Sequence, residues 1–196
     1  MKKLAAVVMF VTVLISGCAF TPHRPVVIKP ELSVTEKAIG QGQEILINVV
    51  DERPRSTLGT RGVRGVGSEI SLEGDLCVPI CNSIADGLRR QGFLSSNTRP
   101  ADGRELRVEI RNLDYTLIMG FFAGTLRTEC GLKAVCLLGS SRPYENLYRG
   151  EFQESVQVVQ SEEANDRYIN AAVSSAINAL LQDPQLMRCL ALPKQP

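Results

Sequence analysis

The sequence predicts an α+β fold, a two-layer sandwich in which a mostly antiparallel sheet carries two amphipathic helices on one face. Three observations predict it. Between Leu106 and Val158, three successive stretches alternate apolar and polar residues with the two-residue period of half-buried strands. Two other stretches, one opening at Cys77 and one after Ser161, repeat apolar residues at the three- and four-residue spacing of a helix that covers a core. The strands follow one another closely, which favours antiparallel neighbours, and the helices bracket them along the chain.

The chain opens with Lys2 and Lys3, runs apolar from Leu4 to Ile15, and meets Ser16 and Gly17 before Cys18. That order makes residues 1–17 a secretion signal. A permanent span needs about 20 apolar residues, and this run falls short. The segment Ile15-Ser16-Gly17-Cys18 resembles the lipobox of bacterial lipoproteins, in which the cysteine thiol receives diacylglycerol and cleavage then leaves it as residue one. Cys18 is therefore the expected lipidation site, bearing diacylglycerol and an N-acyl chain, and no other cofactor is expected. An ordinary secretory signal with a chance cysteine is the alternative. At about 0.8 kcal/mol for each buried methylene, several acyl chains hold a protein stably to a bilayer. Ala19 stands where an aspartate would keep such a protein at the inner membrane, so the lipobox resemblance implies an outer-membrane lipoprotein facing the periplasm.

Residues 18–43 contain Pro22, Pro25 and Pro30 with little periodicity, and read as an extended tether. At about 5–6 Å times the square root of its length, such a tether holds the domain roughly 25–30 Å from the lipid. Residues 44–192 are then long enough for a single domain with a full core.

Within it, Ile45 to Val50 is apolar on both faces, as a central strand is, and Asp51 to Gly67 reads as a Gly- and Arg-rich loop before a brief strand at Glu69 to Leu72. Cys77, Ile80 or Cys81, Ile84 and Leu88 form the stripe of the first helix; Pro79 suits its first turn, Arg89 and Arg90 complement its dipole, and Gly92 stops it. In the first long strand Leu106, Val108 and Ile110 point one way, then Leu113, Tyr115 and Leu117 take the opposite parity, so a bulge is expected near Arg111 and Asn112. The next strand points Leu126, Cys130, Leu132, Ala134, Cys136 and Leu138 to the core, and the third points Tyr148, Phe152, Val156 and Val158 the same way. Ser161 caps the last long helix, whose stripe is Tyr168, Ala172, Ala176 and Leu180. Asp183-Pro184 breaks it, and a short helix carries Leu186, Cys189 and Leu190.

Net charge is +1, from 22 basic and 21 acidic residues, so nothing implies a polyanion such as nucleic acid as partner. Five cysteines follow Cys18. Cys130 and Cys136 share one strand and lie about 20 Å apart if it is extended, too far to bridge. Cys77 and Cys81 lack the further ligands a zinc site needs, since the only histidine is His23 in the tether. No metal is expected. Buried free thiols are the expected state, with a bridge from Cys77 or Cys81 to Cys189 open if the two helices are neighbours.

The order of elements, with the lipobox at Cys18, the segment Ile45-Leu46-Ile47-Asn48-Val49-Val50-Asp51-Glu52-Arg53, the segment Leu58-Gly59-Thr60-Arg61-Gly62, the helix end Arg90-Gln91-Gly92-Phe93 and the terminal helix through Asn170-Ala171-Ala172-Val173, resembles the YajG family of bacterial lipoproteins. The cysteines from Cys77 onward depart from its pattern. The resemblance supplies no catalytic residues.

Little in the residues points to chemistry. The glycines from Gly59 to Gly67 lack the Lys-Ser or Lys-Thr of a phosphate loop. No serine has a nucleophile-elbow context. Arg53, Arg55, Arg61 and Arg64 offer a partner or anion contact, because guanidinium forks match carboxylates and phosphates; a solvated loop is the plainer reading. Ile118 to Gly124, with Phe121 and Phe122, is either an exposed docking tip or a turn folded back on the core. The expectation is a non-catalytic envelope protein that touches the membrane through its lipid and binds a protein or a cell-wall component. An auxiliary subunit of an envelope transport machine is the alternative, and a cell-wall or lipid hydrolase a third reading.

Overall fold

The computed structural model describes residues 24–63, 66–120, 123–157 and 160–192. The leader, Cys18, Arg64, Phe121, Phe122 and Val158 lie outside the described residues. Seven strands and three helices follow in order: β1 (Glu44–Asp51), β2 (Gly59–Val63), β3 (Val66–Ile70), α1 (Cys77–Arg90), β4 (Leu94–Ser96), β5 (Arg104–Met119), β6 (Gly124–Leu138), β7 (Ser141–Val156), α2 (Glu162–Gln182) and α3 (Pro184–Leu190). The main sheet has the order β4-β1-β5-β6-β7, and the helices cover one of its faces, an α+β arrangement as expected.

The long strands β5, β6 and β7 are antiparallel, with Val108 opposite Ala134 and Cys130 opposite Gly150. The expected bulge is present: the β5–β6 register shifts between Ile110 and Asn112, and the buried parity moves from Leu106, Val108 and Ile110 to Leu113, Tyr115 and Leu117. The other side of the sheet differs from the expectation. β1 pairs in parallel with both β4 and β5, because α1 crosses over the sheet between β1 and β4 and returns the chain in the same direction. β1 therefore sits one strand in from the edge, and most of it is half-buried rather than buried on both faces.

The stretch expected as a long loop contains a hairpin. β2 and β3 pair with Gly59 opposite Ile70 and Arg61 opposite Ser68, and the hairpin docks where the Tyr115 amide donates to the Leu58 carbonyl at 2.8 Å. Its glycines mask the strand pattern, yet Gly59 has to be small, since a Cβ there would sit 2.1 Å from the Tyr115 carbonyl oxygen.

α2 lies directly on β7. A Cβ at Gly150 would meet the Ala172 carbonyl oxygen at 1.9 Å, so the small side chains of Gly150, Ala172 and Ala176 let helix and strand backbones touch. Ser161 caps α2 as the sequence indicates, its hydroxyl accepting from the Ala164 amide at 3.2 Å. The buried Asn165 accepts from the Tyr115 hydroxyl at 3.0 Å, and the Thr128 hydroxyl donates to the Tyr168 carbonyl at 2.9 Å, which pins the start of α2 to the middle of the sheet.

The largest departure is the segment expected as a tether. From Arg24 to Ser33 it is an extended strap lying along α2, with Val26, Ile28 and Val34 buried in the core. Its alternate amides donate to side chains one helical turn apart: Lys29 to Asn170 at 2.6 Å, Glu31 to Ser174 at 2.9 Å and Ser33 to Asn178 at 2.8 Å. The carboxamides answer, Asn170 donating to the Val27 carbonyl at 3.0 Å and Asn178 to that of Glu31 at 2.9 Å. The periods match physically: four helical residues rise about 6 Å and two extended residues span about 6.6 Å. A row of Asn and Ser on α2 thus serves as the missing neighbour strand. Beyond it, the Lys37 amide donates to the Arg90 carbonyl at 2.9 Å, so the strap ties both long helices together.

Cys189 pairs with Cys136 in a disulfide, rather than with Cys77 or Cys81 or as a free thiol. After the break at Asp183-Pro184, α3 folds back over β6 and β7, whereas α1 packs on β1 and β4 at the far side of the sheet. Closing a loop of 53 residues stabilises the fold by about 4 kcal/mol on chain-entropy grounds. Cys77, Cys81 and Cys130 are free. Arg104, fully buried, holds the same end of the chain: it donates to Asp102 at 2.7 Å, to the Gln43 side chain at 2.6 Å, to the Leu192 carbonyl at 2.8 Å and to that of Leu190.

The strap ladder makes a direct prediction. The double substitution Asn170→Ala and Asn178→Ala removes four strap hydrogen bonds and should lower unfolding free energy in urea by about 2 kcal/mol. An unchanged midpoint would mean that the ladder contributes nothing.

Candidate functional site

Of the four arginines offered by the sequence, Arg64 lies outside the described residues, and Arg53, Arg55 and Arg61 do not form one open cationic surface. Arg53 folds back on Asp51 in a two-pronged contact, 2.8 Å at its closest, and its side chain is only 6% exposed. Arg61 is buried and donates to the Gln160 carbonyl at 3.0 Å, holding the β2–β3 hairpin against the entry to α2. Arg55 is exposed, but its guanidinium meets Asp114 at 3.3 Å across a groove that Glu69 and Glu129 also line. Three carboxylates beside one arginine make this groove acidic, unlike an anion cradle.

Among the described residues, the thiols outside the disulfide are poor nucleophiles. Burial pushes Cys77 up to about 11, helped by the Asp75 carboxylate, and pushes Cys130 up to about 12; Cys81 also rises through burial. All three stay protonated at neutral pH. Among the described residues, no three His, Cys, Asp or Glu side chains gather as a metal site requires.

Asp183 is the most heavily engaged carboxylate. One oxygen accepts from the hydroxyls of Tyr144 and Tyr148, both at 2.6 Å, and the other caps α3 through the amides of Gln185 and Leu186 at 2.8 and 3.3 Å. Burial alone would raise this carboxyl; the tyrosine hydroxyls and capping amides outweigh it and hold it down to about 2. Burial, with the Asp183 charge, raises both tyrosines. A carboxylate surrounded by donors is a weak base, and the arrangement clamps β7 to α3.

The surface best built to receive a ligand lies at the end of the domain where the strap passes α1, α2 and α3. It is a groove of about 630 Å³. Val34, Ile39, Leu181 and Met187 supply apolar walls, and Lys37 and Arg188 stand at its rim. Arg89 and Arg90, in the last turn of α1, line an adjoining groove that shares Lys37. Arg89 pairs with Asp86 at 2.9 Å, while among the described residues Lys37, Arg90 and Arg188 have no carboxylate partner. Gln91, almost fully buried, donates to the Leu181 carbonyl at 2.7 Å and keeps the wall in place. Glu36 is the one carboxylate in the lining of the two grooves, and apolar walls beside a rim where cations outnumber it suit an amphiphilic segment bearing carboxylates. Sequence reasoning missed this groove because it assigned the strap to a tether and read Arg89 and Arg90 only as dipole partners. Val34 and Ile39, apolar residues within a Pro-containing stretch, are the signal that was present.

A pH prediction follows from Asp183. Its folded value lies below the unfolded carboxylate, so its stabilisation is complete above pH 3.8 and disappears as pH falls toward about 2. Thermal melts of the wild type and Asp183→Ala should differ most above pH 4 and converge near pH 2. A gap that stays constant over this range would contradict the assignment.

Residues 30–191 match a family described as uncharacterized lipoproteins. Among solved structures, a Xanthomonas campestris protein is similar over 79% of this chain and 91% of its own, with 12% identity and a TM-score of 0.50. A putative neuraminyllactose-binding hemagglutinin homolog from Helicobacter pylori is similar over 83% of this chain and 96% of its own, with 9% identity and a TM-score of 0.50. A minor lipoprotein from Acinetobacter baumannii aligns over 76% of this chain and 92% of its own, with 14% identity and a TM-score of 0.44. At such identities the likeness is one of fold alone. No curated protein matches the chain. The family match spans nearly all of the domain and agrees with the YajG-like order of elements, so this chain belongs to that family of uncharacterized lipoproteins.

Proposed function

We propose that this chain is a periplasm-facing lipoprotein, tied to the outer membrane by acyl chains on Cys18, and that it binds an envelope partner without catalysis. Membership of a lipoprotein family supports the anchor, as do the run Leu4 to Ile15, apolar but for Thr12, and the small residues before Cys18. Ala19 supports the outer membrane. Among the described residues no helix is long and apolar enough to cross a bilayer.

The observation that carries the binding role is the groove between strap and helices, where Lys37 and Arg188 stand over apolar walls, with Arg90 beside Lys37 in the adjoining groove. Its complement is an acidic segment of an envelope protein that also presents apolar side chains. Protonated thiols and a donor-saturated Asp183 favour binding over turnover.

Two measurements test this reading. Cys18→Ala should abolish labelling by radioactive palmitate, and continued labelling would refute the anchor. Lys37→Glu with Arg188→Glu should reduce partner crosslinking in intact cells by about fivefold or more, with the melting temperature unchanged. Undiminished crosslinking would remove the groove as the contact.

A further inference from the structure

The fold fixes which end of the domain the chain leaves on its way to Cys18. Arg24 pairs with Asp166 at 2.6 Å and its backbone amide donates to Glu162 at 3.1 Å, so the strap begins at the first turns of α2. α2 runs antiparallel to β7: Tyr168 bonds Thr128, which is opposite Phe152, Ala172 and Ala176 lie on Gly150, and Asp183 reaches Tyr148 and Tyr144. Following that register back brings Glu162 level with the end of β7, where Val156 pairs with Gly124 and Gly124 with Met119. The chain therefore departs at the same end as the turn joining β5 to β6.

That departure is short. Five residues lie between Cys18 and Arg24, six steps along the chain and a contour of at most about 21 Å. At this end Ile118 is 66% exposed, the most exposed of the large apolar side chains among the described residues. It flanks a turn closed by the Gly120 amide donating to the Ala123 carbonyl at 2.8 Å. The cationic groove lies at the opposite end of α2, beside Leu181 and Gln182.

We propose that the β5–β6 end of the domain rests on the bilayer holding the Cys18 lipid, with Ile118 seated at the lipid interface. This rests on the reading of Cys18 as the anchor. A lone exposed isoleucine on a soluble face is ordinary; one at the tip of the strand end that a contour of about 21 Å ties to a membrane has a partner of its own chemistry. The same geometry turns the cationic groove away from the bilayer, toward the periplasmic space.

The chain has no tryptophan, so a single introduced one reports its own surroundings. Ile118→Trp is compared with Leu147→Trp, an exposed site on β7 roughly 26 Å further along the strands, both as full-length lipidated protein in phosphatidylethanolamine and phosphatidylglycerol vesicles containing brominated lipid. Bromine should quench the tryptophan at position 118 about threefold or more beyond that at position 147. Equal quenching, or stronger quenching at position 147, in protein whose mass carries the acyl chains overturns the orientation and leaves the anchor standing. A mass without acyl chains on Cys18 overturns both.

Discussion

The architecture depends on a match between two repeats, the two-residue period of an extended strap and the four-residue period of one side of α2. Asn170, Ser174 and Asn178 present polar atoms at the spacing of alternate strap amides. With that match, Val26, Ile28 and Val34 enter the core and the strap joins α2 to the end of α1. Without it, the same residues would hang loose and the groove would lose its Val34 and Ile39 wall.

Two clamps finish what the strap begins. Asp183 draws Tyr144 and Tyr148 of β7 onto the start of α3, and Arg104 gathers the carbonyls of Leu190 and Leu192 at its end. The Cys136–Cys189 disulfide lies between them. A seven-residue helix has little stability alone, so these covalent and charge-assisted contacts supply what its length does not. With α3 held in place, Met187 and Arg188 line the groove with Lys37, and the groove becomes a fixed feature of one end of the molecule.

Elements governed by local period were legible in the sequence. The three long strands, the bulge near Arg111, the Ser161 cap and the break at Asp183-Pro184 all declare themselves within a few residues. Relations between distant residues were not. Apart from Val26, which pairs with the backbone of Ser71 and Glu73, the strap's partners are side chains about 140 residues away, among polar positions of α2 that look solvated. Glycines conceal β2 and the start of β3, of which only Glu69 and Ile70 fall in the brief strand expected there, and a three-residue β4 is too short to show a period. The Cys136 pairing depends on the direction in which α3 folds back, which no spacing encodes. The candidate groove fared worst, since it is assembled from the strap and the ends of three helices, each unremarkable alone. Of the four arginines singled out, Arg53 and Arg61 proved to be internal ties and Arg55 faces acids.

The strap's attachment to α2 is the claim on which the groove and the orientation both stand, and amide hydrogen exchange on the folded protein measures it most directly. The amides of Lys29, Glu31 and Ser33, which donate to α2, should exchange slowly, with protection approaching that of the α2 interior at Ala172. Exchange of these three amides at the rate of an unstructured peptide, while Ala172 stays protected, would contradict the account.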